Sequence, residues 1–178
     1  MERITVRHAE PEDYEALHRI LSGPRAIAGT IQLPLSPAET WRKRLSERPE
    51  GLYSLVACVD GEVVGSLSLS TDPTRWRMRH TGSIGMAVRD DWQGKGVGTA
   101  LMEAALDLAD NWLNLTRIEL HVYTDNAAGI GLCEKFDFEV EGTHRRFAFR
   151  NGKYVDAYSM ARLRSANFGE HPSHALNK

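Results

Sequence analysis

The sequence predicts an α+β fold: one domain with a central mixed, twisted sheet and helices packed on its faces. Short alternating apolar runs of strand length recur between stripes of helical spacing along most of the chain. Asp60-Gly61 and Asn151-Gly152 each separate two such runs, and these dipeptides favour the tight turn of a β-hairpin. Between Thr81 and Val122 a strand, a helix and a strand follow one another, which implies a parallel crossover within the sheet. No linker-like stretch divides the chain, and 178 residues with 42% hydrophobic and 26% charged side chains fit one globular unit. The domain is expected to span residues 1–164, with 165–178 a polar tail without periodicity.

Each element has its own signal. Residues 3–8 alternate, with Ile4 and Val6 on one side, as a first strand. Pro11 and Asp13 open a helix in which Tyr14, Leu17 and Leu21 recur at helical spacing, and Ser22-Gly23-Pro24 ends it. Residues 24–36 read as a loop. Its apolar members Ile27, Ile31, Leu33 and Leu35 either pack on the domain or wall a substrate pocket, with Thr30 and Gln32 as polar candidates for the latter. Ser36-Pro37-Ala38-Glu39 has the form of a capping box and starts a helix to about Glu47, with Trp41 and Leu45 inward. Leu52–Val59 and Glu62–Ser70 make the first hairpin, and Thr71–Arg79 a connecting loop. In the strand Thr81–Val88, Ile84, Met86 and Val88 alternate with the small Ser83, Gly85 and Ala87.

After a glycine-rich turn, two adjacent stripes form the wide face of a helix lying on the sheet: Leu101, Ala105, Leu108 and Trp112 beside Met102, Leu106, Ala109 and Leu113. Ile118, Leu120 and Val122 mark another strand. Asp125 or Asn126 caps a further helix to about Phe136. Gly129 and Gly131 inside it each cost about 1 kcal/mol relative to alanine, so close approach of a ligand or another backbone is expected there. Strands at Glu139–Arg150 and Lys153–Arg162 close the domain.

Composition excludes several classes of function. A net charge of −2 gives no reason to expect nucleic acid or an acidic membrane as partner. No apolar run approaches the roughly 20 residues that cross a bilayer, and the N-terminus lacks a signal-peptide core. Cys58 and Cys133 lack metal-ligand spacing, and the histidines form no zinc pattern, so neither a disulfide scaffold nor a metal is expected. A reducing cytoplasm is the default expectation.

The turn Gln93-Gly94-Lys95-Gly96-Val97-Gly98-Thr99 carries the chemistry. Closely spaced glycines let the chain curl so that successive N–H groups converge at the start of a helix, a ready site for a pyrophosphate. A Walker loop fails because Lys95 is followed by Gly96. A dinucleotide fingerprint fails because its third glycine would fall on Thr99 or Leu101. The pattern that fits is Gln/Arg-x-x-Gly-x-Gly/Ala, met by Gln93, Gly96 and Gly98. On these residues the chain resembles the GNAT superfamily of acetyl-CoA-dependent N-acetyltransferases. A second block, Asn126-Ala-Ala-Gly-Ile130-Gly-Leu132-Cys133-Glu134-Lys135-Phe-Asp-Phe138, is similar to that family's Asn-x-x-Ala-Ile-x-Leu-Tyr-Glu-Lys-x-Gly-Phe helix. Phrases such as His8-Ala-Glu, Asp110-Asn-Trp-Leu113 and Arg150-Asn-Gly-Lys-Tyr-Val-Asp-Ala-Tyr158 look like bacterial members that acetylate the α-amine of free amino acids.

The resemblance implies direct attack of an amine on acetyl-CoA within a ternary complex, with no metal. The pyrophosphate would lie on the amides of Gly94, Lys95, Gly96, Val97, Gly98 and Thr99, beside Gln93, with Lys135 as a further cation. The pantetheine would run along the backbone of Met86, Ala87 and Val88, where an N–H group could hold the thioester oxygen. Asn126 would reach the pantetheine or the amine, and would also cap its helix. The family's usual tyrosine proton donor is Cys133 here, which is either a short substitute donor or a small buried core residue. Tyr123 and Tyr158 are alternative donors, the latter also a substrate contact. No acid falls within Thr81–Val88, so Glu119 or His80 would act as base through water. Arg25, Arg79, Arg145 and Arg146 are candidates to hold a carboxylate, and Arg79 and His80 to touch the acceptor. The acceptor is expected to be a small amine such as an amino acid, with a protein N-terminus, a polyamine or an amine antibiotic as alternatives. A weak acyl-CoA sensor is the reading from another class, and a homodimer is implied by relatives.

Overall fold

A computed structural model describes residues 3–164. The polar tail expected at 165–178 lies outside the described residues. One sheet of seven strands organises the molecule: β1 (Thr5–His8), β2 (Leu52–Val59), β3 (Glu62–Thr71), β4 (Thr81–Val88), β5 (Arg117–Tyr123), β6 (Glu139–Arg150) and β7 (Lys153–Leu163). Their spatial order is β1-β2-β3-β4-β5-β7-β6. Every neighbouring pair is antiparallel except β4 and β5, which are parallel as the crossover requires. Both hairpins turn as expected, with left-handed Asp60 and Gly61 (φ 48° and 83°) and Asn151 and Gly152 (φ 49° and 75°).

Helices α1 (Tyr14–Leu21), α2 (Pro24–Gly29) and α3 (Ala38–Ser46) lie on one face. On the other face lie α4 (Val97–Asp107), continued by a wide turn over Leu108–Trp112, and α5 (Ala127–Lys135). The two-residue period of a strand divides the core accordingly. In β2, Val56 and Cys58 join Leu17, Ile20, Trp41 and Leu45 under α1 and α3. Leu55, Ala57 and Val59 join Leu101, Met102, Ala105 and Leu106 under α4.

Three local expectations are corrected. Residues 24–29 are helical rather than loop: Pro24 stands at the first helical position, and the Asp90 carboxylate accepts from the Arg25 N–H at 3.0 Å. That acceptor comes from far along the chain, so no local pattern announces it. The capping box at Ser36 does not form. Pro37 is the cap residue, the Ser36 hydroxyl donates to the Leu33 carbonyl at 2.9 Å, and Glu39 pairs with Arg42. Trp112, placed on the buried stripe by spacing, is 77% exposed because the wide turn over Leu108–Trp112 shifts the helical phase.

Candidate active site

The parallel pair β4 and β5 holds together at only three positions, Thr81↔Arg117, Gly82↔Ile118 and Ser83↔Glu119. Beyond Ser83 the strands diverge. β4 remains paired to β3 as far as Val88, and β5 to β7 as far as Tyr123. The residues Ile84–Val88 therefore present backbone N–H and C=O groups along an open sheet edge. An extended ligand carrying amide groups can pair there as an additional strand.

This edge leads into the glycine turn. Gly94 and Gly96 adopt left-handed conformations, φ 74° and 87°, which side chains disfavour. Gly96 is the cap of α4 and receives no side-chain hydrogen bond, and the first intrahelical bond runs from Ala100 N to Gly96 O at 3.0 Å. Helix geometry then leaves the N–H groups of Val97, Gly98 and Thr99 without an acceptor inside the helix. A Cβ on Gly98 would sit 3.1 Å from Leu132 Cδ2 and 3.4 Å from Met86 Sδ, so the absent side chain lets α4, α5 and β4 converge. Gln93 donates from Nε2 to the Val88 carbonyl at 3.2 Å and shapes the turn. The Lys95 ammonium lies 4.7 Å from the Trp92 ring centre, and Lys135 is exposed at the end of α5. An uncapped, glycine-lined helix start at the end of an open strand edge fits a phosphate-bearing donor with an amide-rich arm.

On the face covered by α1, α2 and α3 a cavity of about 460 Å³ adjoins the same opening. Its floor is sheet whose side chains are small: Ser54, Ser66, Ser68, Gly85, Ala87 and Ala157. Small residues in register across neighbouring strands leave the space that larger ones would fill. Leu17, Trp41, Leu45 and Leu52 form an apolar wall; Thr30, Gln32 and Arg44 are polar lining groups. At the β5 side stand His121, Tyr123 and Phe147. The His121 ring stacks on Phe147 at 5.2 Å and meets the His144 ring edge-on at 4.9 Å.

Several expected residues fall on this architecture. Thr30 and Gln32 line the cavity and Met86 and Ala87 its donor edge. Tyr123 donates its hydroxyl to the Thr30 carbonyl at 3.0 Å, and burial pushes its phenol up despite the opposing pull of Arg150. Asn126 caps α5, accepting from Gly129 N at 3.0 Å. Gly129 is explained by that cap: a Cβ there would lie 2.7 Å from Asn126 Nδ2 and 3.1 Å from Val122 Cγ2. Neither a ligand nor a second backbone is needed to account for it, and Gly131 meets nothing within 4 Å. Cys133 is 5% exposed, packed in the core beneath α4, and burial pushes its thiol up to about 11.

Others fall elsewhere. Glu119 shares the cavity's face of β5 but is paired with Arg117 at 3.2 Å, which also binds Glu141. His80 precedes β4 at the closed end of the opening, where its carbonyl accepts from Thr116 and Arg117. Arg79 stacks on Trp76 at 4.3 Å, and Arg146 lies over Tyr154 at 5.6 Å. Tyr158 pairs in register with Val122, so it sits on the opposite face and packs on the α4 core. Arg25, Arg79, His80, Arg145, Arg146 and Tyr158 are absent from the cavity's lining. Arg44 and His121 are present there and were missed. The signal for His121 was available: in the run Glu119-Leu120-His121-Val122-Tyr123 the apolar alternates are buried, which turns the histidine to the other face. Arg44 had no such mark among the charged residues of α3.

An open strand edge, an uncapped helix start and an adjoining cavity together fit a two-substrate transferase with a phosphate-bearing donor. The chain belongs to the acetyltransferase (GNAT) family, whose profile matches residues 14–138. It is 44% identical over 164 residues to the L-amino acid N-acetyltransferase AaaT of Escherichia coli, spanning 92% of this chain and 100% of that protein. To the L-methionine sulfoximine/L-methionine sulfone acetyltransferase of Pseudomonas paraeruginosa it is 32% identical over 137 residues, 74% of this chain and 75% of that one. The structure of yncA from Salmonella typhimurium with its cofactor acetyl-CoA shares the fold, with a TM-score of 0.76 at 22% identity over 90% of this chain and 95% of that one. The chain is thus an N-acetyltransferase that acylates an amine. No described helix is long and apolar enough to cross a membrane.

Proposed function

We propose that this enzyme transfers the acetyl group of acetyl-CoA to the α-amine of a free amino acid with an apolar side chain. The observation that carries the reading is Arg44. Among the described residues lining the cavity it is the one permanently cationic side chain, set beside the apolar wall of Leu17, Trp41, Leu45 and Leu52. Its guanidinium lies 4.7 Å from the Trp41 ring centre, which steadies a fork suited to a carboxylate. The activity named for AaaT supports the same acceptor class. No carboxylate lines the cavity among the described residues, which disfavours a polycationic acceptor such as a polyamine.

Donor binding falls to the backbone. The amides of Gly94–Thr99 would hold the pyrophosphate, with Gln93, Lys95 and Lys135 at its margin, and Met86–Val88 would pair with the pantetheine. Acetyl-CoA supplies an activated thioester, and an N–H of the open β4 edge would bind the carbonyl oxygen as it gains charge. Asn126, at the start of α5, would orient the amine. A cytoplasmic location fits two buried, unbridged cysteines. A homodimer belongs to the same proposal, supported by the edge strand β6, where Val140 and Phe149 are exposed; sedimentation tests it.

The test pairs each amino acid with its decarboxylated amine, following thiol release and product mass. Amino acids with apolar side chains should be the better acceptors. Arg44→Ala should raise their KM by about tenfold to a hundredfold, the worth of one charge-assisted hydrogen bond, and leave the matched amines unchanged. Equal effects on both members of a pair would remove Arg44 as the carboxylate anchor.

A further inference from the structure

An amine arrives at neutral pH mostly as its ammonium, which has no lone pair to attack with, so the site must accept a proton before the N–C bond can form. The titratable side chains lining the cavity are Arg44, His121 and Tyr123. Arginine does not give up its charge in proteins, so Arg44 takes no proton. Tyr123 is held as a phenol by burial and donates to Thr30, so it is a donor. Histidine is the side chain whose ordinary ionisation falls near neutrality.

Position supports the same residue. Ser83↔Glu119 is the last pair before β4 and β5 diverge. Two residues further along each strand, Gly85 and His121 stand on the same face across the opening, and both line the cavity. The imidazole is exposed and held from behind by Phe147 and His144, so it faces both substrate space and solvent. We infer that His121 is the group that takes the acceptor's ammonium proton in this enzyme. This deepens the acetyl-transfer reading of the site and does not depend on the acceptor's being an amino acid.

The proton balance is complete. One ammonium proton passes to an imidazole nitrogen of His121, leaving the amine with a lone pair. That pair forms the N–C bond to the thioester carbon as the C–S bond breaks, and a second proton passes from nitrogen to the departing sulfur. The third remains on the amide, and the imidazolium returns its proton to water at the cavity mouth. Charged and titratable groups on this face are Arg117, Glu119 and Tyr123 of β5, with Arg150 over the Tyr123 ring, His144 of β6 against the His121 ring, and Arg44 of α3 lining the same cavity. Beside His121, β7 presents Ser159 in register, with Ala157 and Ala161 flanking it. Glu119 is paired with Arg117, whereas the His144 ring packs edge-on against the His121 ring at 4.9 Å.

The experiment combines pH profiles with two readouts other than turnover. Wild type should show an acidic limb in log kcat/KM. H121Q should lose the limb set by the imidazole, keep only the rise set by the amine's own ionisation, and fall about a hundredfold at neutral pH, the deficit shrinking at alkaline pH where free amine is plentiful. H144Q should keep the limb, displaced. Calorimetric acetyl-CoA binding should be the same in wild type and H121Q. In isotope-labelled enzyme the His121 ring resonances should titrate, and move when an acceptor amine is added. Should H121Q bind the donor poorly, His121→Ala with added imidazole decides, since free base restores the rate only where a proton acceptor is missing. An intact acidic limb in H121Q at near wild-type rate, or no imidazole rescue, overturns the assignment. Acceptors with and without a carboxylate are run in parallel. Failure of the amino-acid reading alters their ranking, while failure of His121 leaves the limb intact for every acceptor.

Discussion

In the proposed site the donor side is made of backbone and the acceptor side of side chains. Along β4 and into α4, the groups that would hold acetyl-CoA are main-chain N–H and C=O groups of Met86–Val88 and Gly94–Thr99. Across the opening, the acceptor cavity takes its character from Leu17 on α1, Thr30 and Gln32 after α2, Trp41 and Arg44 on α3, and His121 and Tyr123 on β5. A ligand common to a whole family can be recognised by backbone, whose chemistry does not vary with the residue. An acceptor that differs between enzymes has to be recognised by groups that can change one at a time. Two contacts join the halves. Asp90, just before the glycine turn, binds the start of α2, and Arg150 from β6 binds Asp125 and the Ala28 carbonyl at its end. The cavity wall at Thr30 is thereby fixed relative to the donor turn.

If the donor side is backbone, its most damaging substitution is one that alters a dihedral rather than a charge. Gly96→Val places a β-branched residue at φ 87°, about 1–2 kcal/mol of strain that the turn relieves by changing shape. Loss of two amide contacts to a pyrophosphate should weaken acetyl-CoA binding by about a hundredfold or more. Lys95→Ala, which leaves the backbone in place, should cost far less. Calorimetry on both variants sets the comparison, and a Lys95 effect equal to the Gly96 effect would break it.

The same division explains what could be read in the sequence. The glycine turn, both hairpins and the Asn126 cap are local, with residue type and spacing sufficient, and all are found where expected. Placement of β5 beside β4 followed from the crossover. The cavity was not legible because its lining is assembled from positions far apart in the chain. Its floor was half visible, since Ser66 and Ser68 alternate with Leu67 and Leu69 just as Ser83, Gly85 and Ala87 alternate with apolar neighbours. Only the pairing Ser66↔Ala87 and Ser68↔Gly85 brings those small residues into one patch. Arg79 and His80 fall outside the cavity's lining for the related reason that sequence nearness to β4 does not reveal which end of the strand opens.

Gly129→Ala gives a smaller and more diagnostic effect. Alanine gains about 1 kcal/mol in a helix interior, but its Cβ displaces the Asn126 amide, and losing that cap costs about the same. Thermal unfolding should therefore move by only a few degrees. If the Asn126 amide orients the amine, kcat should nevertheless fall several-fold, whereas an unchanged kcat would reduce Asn126 to a cap and leave orientation wholly to the cavity side.

Cys133 should show the smallest effect on turnover, and it decides on which side of the comparison it belongs. Its thiol lies in the core under α4, and burial, with Glu134 adding, raises it from 9.0 to about 11. The folded chain keeps this proton where the unfolded chain has lost it, so stability is complete below pH 9 and declines as pH rises towards 11. At about 1.4 kcal/mol per unit, the protein at pH 10 should be roughly 1 kcal/mol less stable from this group than at pH 8. Cys133→Ala should abolish that alkaline loss while costing about 1 kcal/mol of packing at pH 7. Melting curves at the two pH values measure both terms. Turnover at pH 7 should stay within about twofold of wild type, since a buried residue acting only through packing does not alter the barrier. A tenfold or greater fall in kcat with the pH 7 melting temperature preserved would show instead that a side chain of α5 delivers the proton to sulfur. The donor side would then no longer be backbone alone.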